Sequence, residues 1–355
     1  MSHYEQRLQH DLDAIRTDIT ALGSTVHQAL TSALESLLNR DSDQAYKVIL
    51  GDHPINRAAD RLNVACHGFI AKHLPSAGHL RFVSSSLRTI ILLERLGDYA
   101  ATIAKESVRL DSGLEGAFGS DVRVMGYDAL GMLSDAITAY ETMDTELAAT
   151  TKASASKVDR EYITAYSDLV VSDNRELDRA DLFGRLNIIN LLERVSDQAK
   201  NLCEEVIFTK TGKTKTRRRL KLFFLDEHDA GHTQIAVALC RKFYADRVEA
   251  FSAGKSGSST IHQDLATFCG QKGLDFSGLD PSTLVDDDPN FAKADVVICI
   301  NATLDHFSQT ISYGTSVLHW KISESDSVEA QFLQLSESIA SLVDLIRGPS
   351  IVTNA

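Results

Sequence analysis

Glu94 and Asp98 stand four residues apart, and so do Glu193 and Asp197. On a helix that spacing sets both carboxylates on one face, about one turn apart. Two anions so close repel each other unless a cation lies between them. A hard or borderline cation bound through oxygen satisfies both. The pattern is a candidate metal site written twice. The plainer alternative is a solvated face on which these acids pair with Arg95, Arg194 or nearby lysines. The adjacent arginines project elsewhere on a helix and cannot neutralise both acids, and the duplication favours a ligand role.

A second constellation runs from Asp226 through Glu227, His228, Asp229, Ala230, Gly231 and His232 to Thr233. It lies between an apolar run that reads as a strand and the start of a helical pattern. Free backbone N–H groups at such a junction favour anions. Asp226, Glu227 and Asp229 oppose phosphate there. Asp226, His228, Asp229 and His232 are fair metal donors; the competing reading is an ordinary polar surface loop.

The elements that must position these residues follow from periodicity. Leu12, Ile15, Ile19, Leu22, Val26 and Leu30 build one apolar stripe over 10–38. Further helices are expected over 43–73, 80–108, 122–147, 153–171 and 181–208. Breaks fall at Pro75 to Gly78, at the Gly-rich spacer 111–119, and at a polar turn near Asn174. Each half therefore reads as three helices. The third helix of each carries Leu-Leu-Glu-Arg-x-x-Asp, ending at Asp98 and Asp197, which marks an internal duplication. Thr209 to Arg219 is basic, polar and aperiodic, and reads as a linker. The alternative for it is a nucleic-acid or anionic-lipid contact.

After the linker the texture changes. Strands are expected at 220–225, 248–254, 295–300 and 317–322, with helices at 232–245, 261–271 and 328–346. That alternation implies a parallel sheet covered on both faces. The expected fold is multidomain: an all-α region of two three-helix repeats, 1–112 and 119–208, the linker 209–219, and an α/β domain with a four-stranded parallel sheet, 220–348.

A length of 355 residues with 43% apolar content supports more than one core. A net charge of −13 argues against general nucleic-acid binding. Five widely spaced cysteines with no CxxC pair point to a reducing cytosol, each thiol a small buried group. The N-terminus has no apolar signal core, and no run reaches the about 18 apolar residues of a membrane helix. A soluble cytoplasmic protein is expected, with peripheral membrane contact only through partners.

Asp52-His-Pro-Ile-Asn, Pro75-Ser-Ala-Gly-His-Leu-Arg, Leu93-Glu-Arg-Leu-Gly-Asp and the stretch from Leu192 to Asn201 carry a resemblance. Through them, roughly residues 5–208 resemble the PhoU family. The resemblance implies two three-helix bundles side by side, with metal clusters held by Glu/Asp-x-x-x-Asp motifs. The metal candidates it carries over are Glu94, Asp98, Glu193 and Asp197, for a divalent or trivalent ion such as iron, zinc, manganese or magnesium. It also implies negative control of phosphate uptake through a phosphate ABC transporter or a sensor histidine kinase, and a homodimer. Where the family has Asn after the first Asp, the second repeat has Asn201 and the first has Thr102. His79 replaces the family's Asp before Leu-Arg.

Phe251-Ser-Ala-Gly, Gly273-Leu-Asp, Ala294-Asp-Val-Val-Ile and His319-Trp320 resemble low-molecular-weight tyrosine phosphatases and the related arsenate reductases, over about 219–347. In that family the loop reads Cys-x5-Arg-Ser/Thr. Here Asp226 stands for the Cys, His232 for the Arg, and Thr233 keeps the hydroxyl. A carboxylate is a poor substitute for a thiolate nucleophile, and imidazole lacks the guanidinium fork. No acid–Pro pair remains near Ser323, where the family keeps its catalytic Asp. Asp226, His232 and Thr233 are thus expected to form a degenerate phosphate loop without a catalytic residue. Its remaining role is to bind a partner, sense a small ligand, or pack against the helical region. The whole chain reads as a metal-dependent regulator of phosphate uptake and homeostasis rather than an enzyme. The alternative is an arsenate reductase or protein phosphatase with a non-standard loop.

Overall fold

Leu8, Leu12, Ile15, Ile19, Leu22 and Val26 are all buried along one face of a single helix. That helix, α1 (His3–Asn39), opens a computed structural model of the chain that describes residues 3–114, 116–171, 178–213, 218–257, 263–286, 288–307, 311, 314–323 and 327–348. The chain forms two compact units, 1–215 and 216–355.

The first unit is helical throughout its described elements: α1, α2 (Ser42–His73), α3 (Ala77–Arg109), α4 (Gly116–Thr142), α5 (Thr145–Val171) and α6 (Arg179–Thr211). Local chemistry sets their ends. Asp41 caps α2 by accepting from Gln44 N at 2.9 Å. Leu74 closes α2 in the left-handed region, its N–H donating to Ile70 O, just before Pro75. One continuous apolar core runs through both sets of three helices. Where α1 meets α4, a Cβ on Gly126 would fall 2.7 Å from Leu34 Cδ2, so any larger residue there would have to displace the buried Leu34 side chain. Arg88 on α3 donates to both oxygens of Glu205 on α6, each at 2.6 Å.

Most boundaries shift from those read off the spacing, with α1, α4 and α5 beginning six to eight residues earlier, and three shifts have a clear local cause. The spacing predicts a fourth helix running through Leu147, but Met143 takes φ +54 and ends it. Asp144 then caps α5, accepting from Glu146 N at 2.9 Å and Leu147 N at 3.0 Å. Helix α6 continues three residues into the expected linker, to a Gly212 cap at φ +68. The fourth strand stops at Trp320 because Asn301 takes both backbone groups of Ile322, each at 2.8 Å. The turn expected near Asn174 lies outside the described residues.

The second unit is α/β: β1 (Leu220–Asp226), α7 (His232–Phe243), β2 (Val248–Gly254), α8 (Gln263–Gln271), β3 (Val296–Ile300), the 3-10 turn η1 (Leu304–Phe307), β4 (Ser316–Trp320) and α9 (Val328–Arg347). The four strands are parallel in the order β2-β1-β3-β4. Leu222 and Phe224 enter one core, with α7 and α9, while Phe223 and Leu225 enter another on the opposite face. Both faces are covered, as an unalternating apolar strand requires. The second face is covered by Phe291, Ala294 and Phe307 from irregular segments and η1. Strand order reverses between β1 and β3, and clefts in such sheets open at the carboxyl ends of the strands there.

Candidate functional site

Helix α2 meets α3 at Gly97. A Cβ there would lie 2.9 Å from Ile55 Cγ2, with Asp52 Oδ1 at 3.7 Å. The missing side chain thus brings Asp52 on α2 beside Asp98, the next residue on α3. Partial burial of the Asp98 carboxyl, and then the charge of Asp52, push its pKa above the usual range. Asp52 Oδ2 accepts from Asn56 Nδ2 at 3.1 Å. Asp52 Oδ1 and Asn56 Oδ1 are enclosed with no hydrogen-bond partner. Glu94, half-buried, lies one turn before Asp98 on the same helix. The Thr102 hydroxyl donates to Asp98 O at 2.8 Å.

The second half repeats the arrangement with a different counter-charge. Glu193 and Asp197 are half-buried on α6, and Asp159 approaches from α5. Burial first, then Asp197 and Asp159, raise the Glu193 pKa. Burial and Asp197 likewise raise that of Asp159, against Lys200. Lys200 donates to Asp197 Oδ1 at 3.2 Å, while Arg194, like Arg95 in the first half, lies exposed.

Each predicted pair therefore meets an acid from the neighbouring helix that the reading of the pairs did not include. Asp52 and Asn56 could have been found, since they are themselves four apart on α2. Asp159 offers no such spacing. The orphaned oxygens and the all-oxygen donor set fit a hard cation. They are not drawn together in advance: among the described residues no group of three or more His, Cys, Asp or Glu side chains holds metal-binding geometry.

In the second unit the loop after β1 is closed upon itself. Asp226 Oδ1 accepts from His228 N at 3.0 Å and Asp229 N at 2.5 Å, and Oδ2 accepts from the Thr233 hydroxyl at 3.0 Å. The side chain standing for a nucleophile therefore consumes loop donors. Asp229 does not face the loop mouth. It is fully buried at φ +51, accepts from Ser282 N at 2.9 Å, and burial pushes its pKa up. Glu227 turns to His306 Nε2 at 2.5 Å, and His232 Nε2 meets Gln331 Oε1 at 2.8 Å. The four-residue metal set Asp226, His228, Asp229 and His232 is thus dispersed, each member with a separate partner. Ser323 lines the same cleft, and residues 324–326 lie outside the described residues.

Comparison with known proteins follows the two units. A family model described as the PhoU domain matches residues 19–107 and again 122–206. A phosphate-specific transport system accessory protein PhoU homolog from Pseudomonas aeruginosa is 32% identical over 217 residues, 59% of this chain and 88% of that protein. The crystal structure of PhoU from Pseudomonas aeruginosa aligns at 29% identity and a TM-score of 0.55, covering 58% of this chain and 99% of that one. An arsenate reductase in the phosphate binding state aligns at 21% identity and a TM-score of 0.29, covering 36% of this chain and 98% of that one. With one domain match on each set of three helices, and a relative about a third identical along most of its length, the chain belongs to the PhoU family.

Proposed function

We propose that this protein regulates phosphate uptake and homeostasis by binding rather than by turnover. Family membership supports the first part, since its relatives are accessory proteins of phosphate-specific transport systems. On this reading a phosphate ABC transporter, a sensor histidine kinase, or both are the partners, and the chain acts in the cytoplasm as a homodimer.

The observation that carries the mechanism is the approach of an acid from a neighbouring helix to each duplicated motif. Glu94 and Asp98 with Asp52 and Asn56, and Glu193 and Asp197 with Asp159, would hold divalent or trivalent ions. A cation held there would supply the positive charge that lets neighbouring helices keep their acids together. The chain's own part is to fix those carboxylates on rigid helices, with Gly97 setting the α2–α3 approach. The test is metal content of the purified full chain, beside a variant with Glu94, Asp98, Glu193 and Asp197 all changed to Ala. Bound metal in the parent and its loss in the variant are expected; equal content in both rejects the assignment. Metal uptake should also rise with pH, because protons compete for carboxyls whose pKa values are raised.

The second unit is read as non-catalytic because Asp226 is already spent on the loop's own donors. p-Nitrophenyl phosphate and arsenate should not be turned over. Robust turnover that disappears in Asp226→Ala would establish the enzyme reading instead.

A further inference from the structure

A cavity of 1310 Å³ opens at the carboxyl ends of β1, β3 and β4, beside the strand-order reversal. It exceeds the about 300–1,000 Å³ of ordinary small-molecule clefts, so an extended ligand fits it. Asp226, Glu227, His228, His232, His306 and Trp320 are among its lining residues.

What these groups offer a ligand is settled by where their hydrogens already go. His306 Nε2 lies 2.5 Å from Glu227 Oε2, His232 Nε2 lies 2.8 Å from Gln331 Oε1, and His228 Nδ1 lies 3.4 Å from Ser256 O. For His306 and His232 the partner is an oxygen acceptor, so that ring nitrogen carries hydrogen, whereas His228 Nδ1 also lies 3.3 Å from the Ser256 hydroxyl and can accept from it. In the uncharged imidazole the second nitrogen is then an acceptor. Asp226 takes its donors from neutral amides and a hydroxyl, which leave its charge uncompensated. The hydrogen bond from His306 holds the Glu227 carboxyl below its ordinary pKa, so Glu227 stays an anion. The wall is rich in acceptors, and Lys321 is the lysine among the lining residues, which include no arginine. Backbone N–H groups at the α7 N-terminus also line the wall, but an oxyanion there would meet the Glu227 and Asp226 carboxylates, and Asp226 already takes two of the loop's N–H groups. A single metal ion is equally ill served, because these side chains do not converge on one point.

We propose that this cavity binds an extended organic cation bearing several N–H donors, of the polyamine or guanidino class. Its donors pair with Glu227 and with the acceptor nitrogens of His306 and His232, and Trp320 supplies an aromatic surface beside them. The proposal goes beyond the phosphate-transport reading and does not depend on it.

Trp320 is the sole tryptophan of the chain, so its fluorescence reports on this cavity and the sheet core beside it. The full chain is titrated with spermidine, with arginine and with inorganic phosphate at matched ionic strength. A saturable change with spermidine or arginine, and none with phosphate, is expected. Glu227→Gln removes a charge from a half-exposed side chain and should weaken that response by about tenfold or more. His306→Gln, which withdraws the partner of Glu227 and keeps a polar side chain, should alter the affinity as well. No response to either cation, or a comparable response to phosphate, overturns the proposal. A spermidine response unchanged in Glu227→Gln also overturns it, because that result marks general counterion binding to an acidic chain.

Discussion

Glu161 shows how a single side chain in this protein is tuned by its neighbours. Burial, and then a hydrogen bond and like charge from Asp128, push its carboxyl up to about 7, while Lys157 acts in the opposite direction. Lys157 sits 2.6 Å from Asp128 and 3.7 Å from Glu161, so one ammonium serves two acids and favours the first. The unfolded chain returns Glu161 to an ordinary carboxyl pKa near 4.5. The native state therefore binds the extra proton. Stability from this group is fully present below about 4.5 and is lost as pH rises through about 7. Glu161→Gln fixes the neutral form. The melting temperature of the helical unit should then rise by about 2 °C at alkaline pH and change little at acid pH. Thermal melts followed by circular dichroism across pH test this; a parent-like pH dependence in the variant would show that the acid pair is relieved by solvent.

At the scale of elements, α4 carries two glycines with opposite meanings. Gly126 faces Leu34, and a Cβ there would sit 2.7 Å from Leu34 Cδ2 in a fully enclosed contact. Gly126→Ala should destabilise the helical unit by about 1–3 kcal/mol through overpacking, reduced by alanine's better helix propensity. Gly131 is exposed with nothing within 4 Å of its would-be Cβ, so Gly131→Ala should stabilise by about 0.5–1 kcal/mol. Denaturant titration of both variants gives the signs; equal signs would mean that α1 and α4 pack less closely than described. Nothing in the sequence separates these two residues, because the difference lies in a partner more than ninety positions away. The same limit explains which parts of the site were legible. Glu94, Asp98, Glu193 and Asp197 are local in sequence and could be placed on helix faces from spacing alone. The meeting of Asp159 with Asp197 depends on how α5 docks on α6, which no local pattern encodes. Helix existence followed from the apolar stripe, but the break at Met143 depended on one residue adopting positive φ, followed by the Asp144 cap. The apolar run of β1 predicted burial on both faces, yet it could not say that one cover would be irregular chain.

At the scale of the whole molecule, the separation of cores sets how the chain should unfold. One apolar cluster draws on α1 to α6, and two others belong to the parallel sheet and its covers. Each unit buries its own apolar residues, so each carries its own hydrophobic driving force and its own cooperative transition. The spectroscopic signals divide along the same line. Far-ultraviolet ellipticity is dominated by six long helices of the first unit, while tryptophan emission comes from Trp320 in the second. Heating the full chain should give two transitions whose midpoints differ between the two signals. A metal chelator should lower the ellipticity midpoint and leave the Trp320 midpoint in place, because the candidate ligands all lie in the first unit and a ligand that binds the folded form stabilises it by mass action. Spermidine should do the reverse. If the two midpoints coincide and shift together under either treatment, the units unfold as one body, and a ligand held by the sheet then sets the stability of the helices that carry the candidate metal-binding acids.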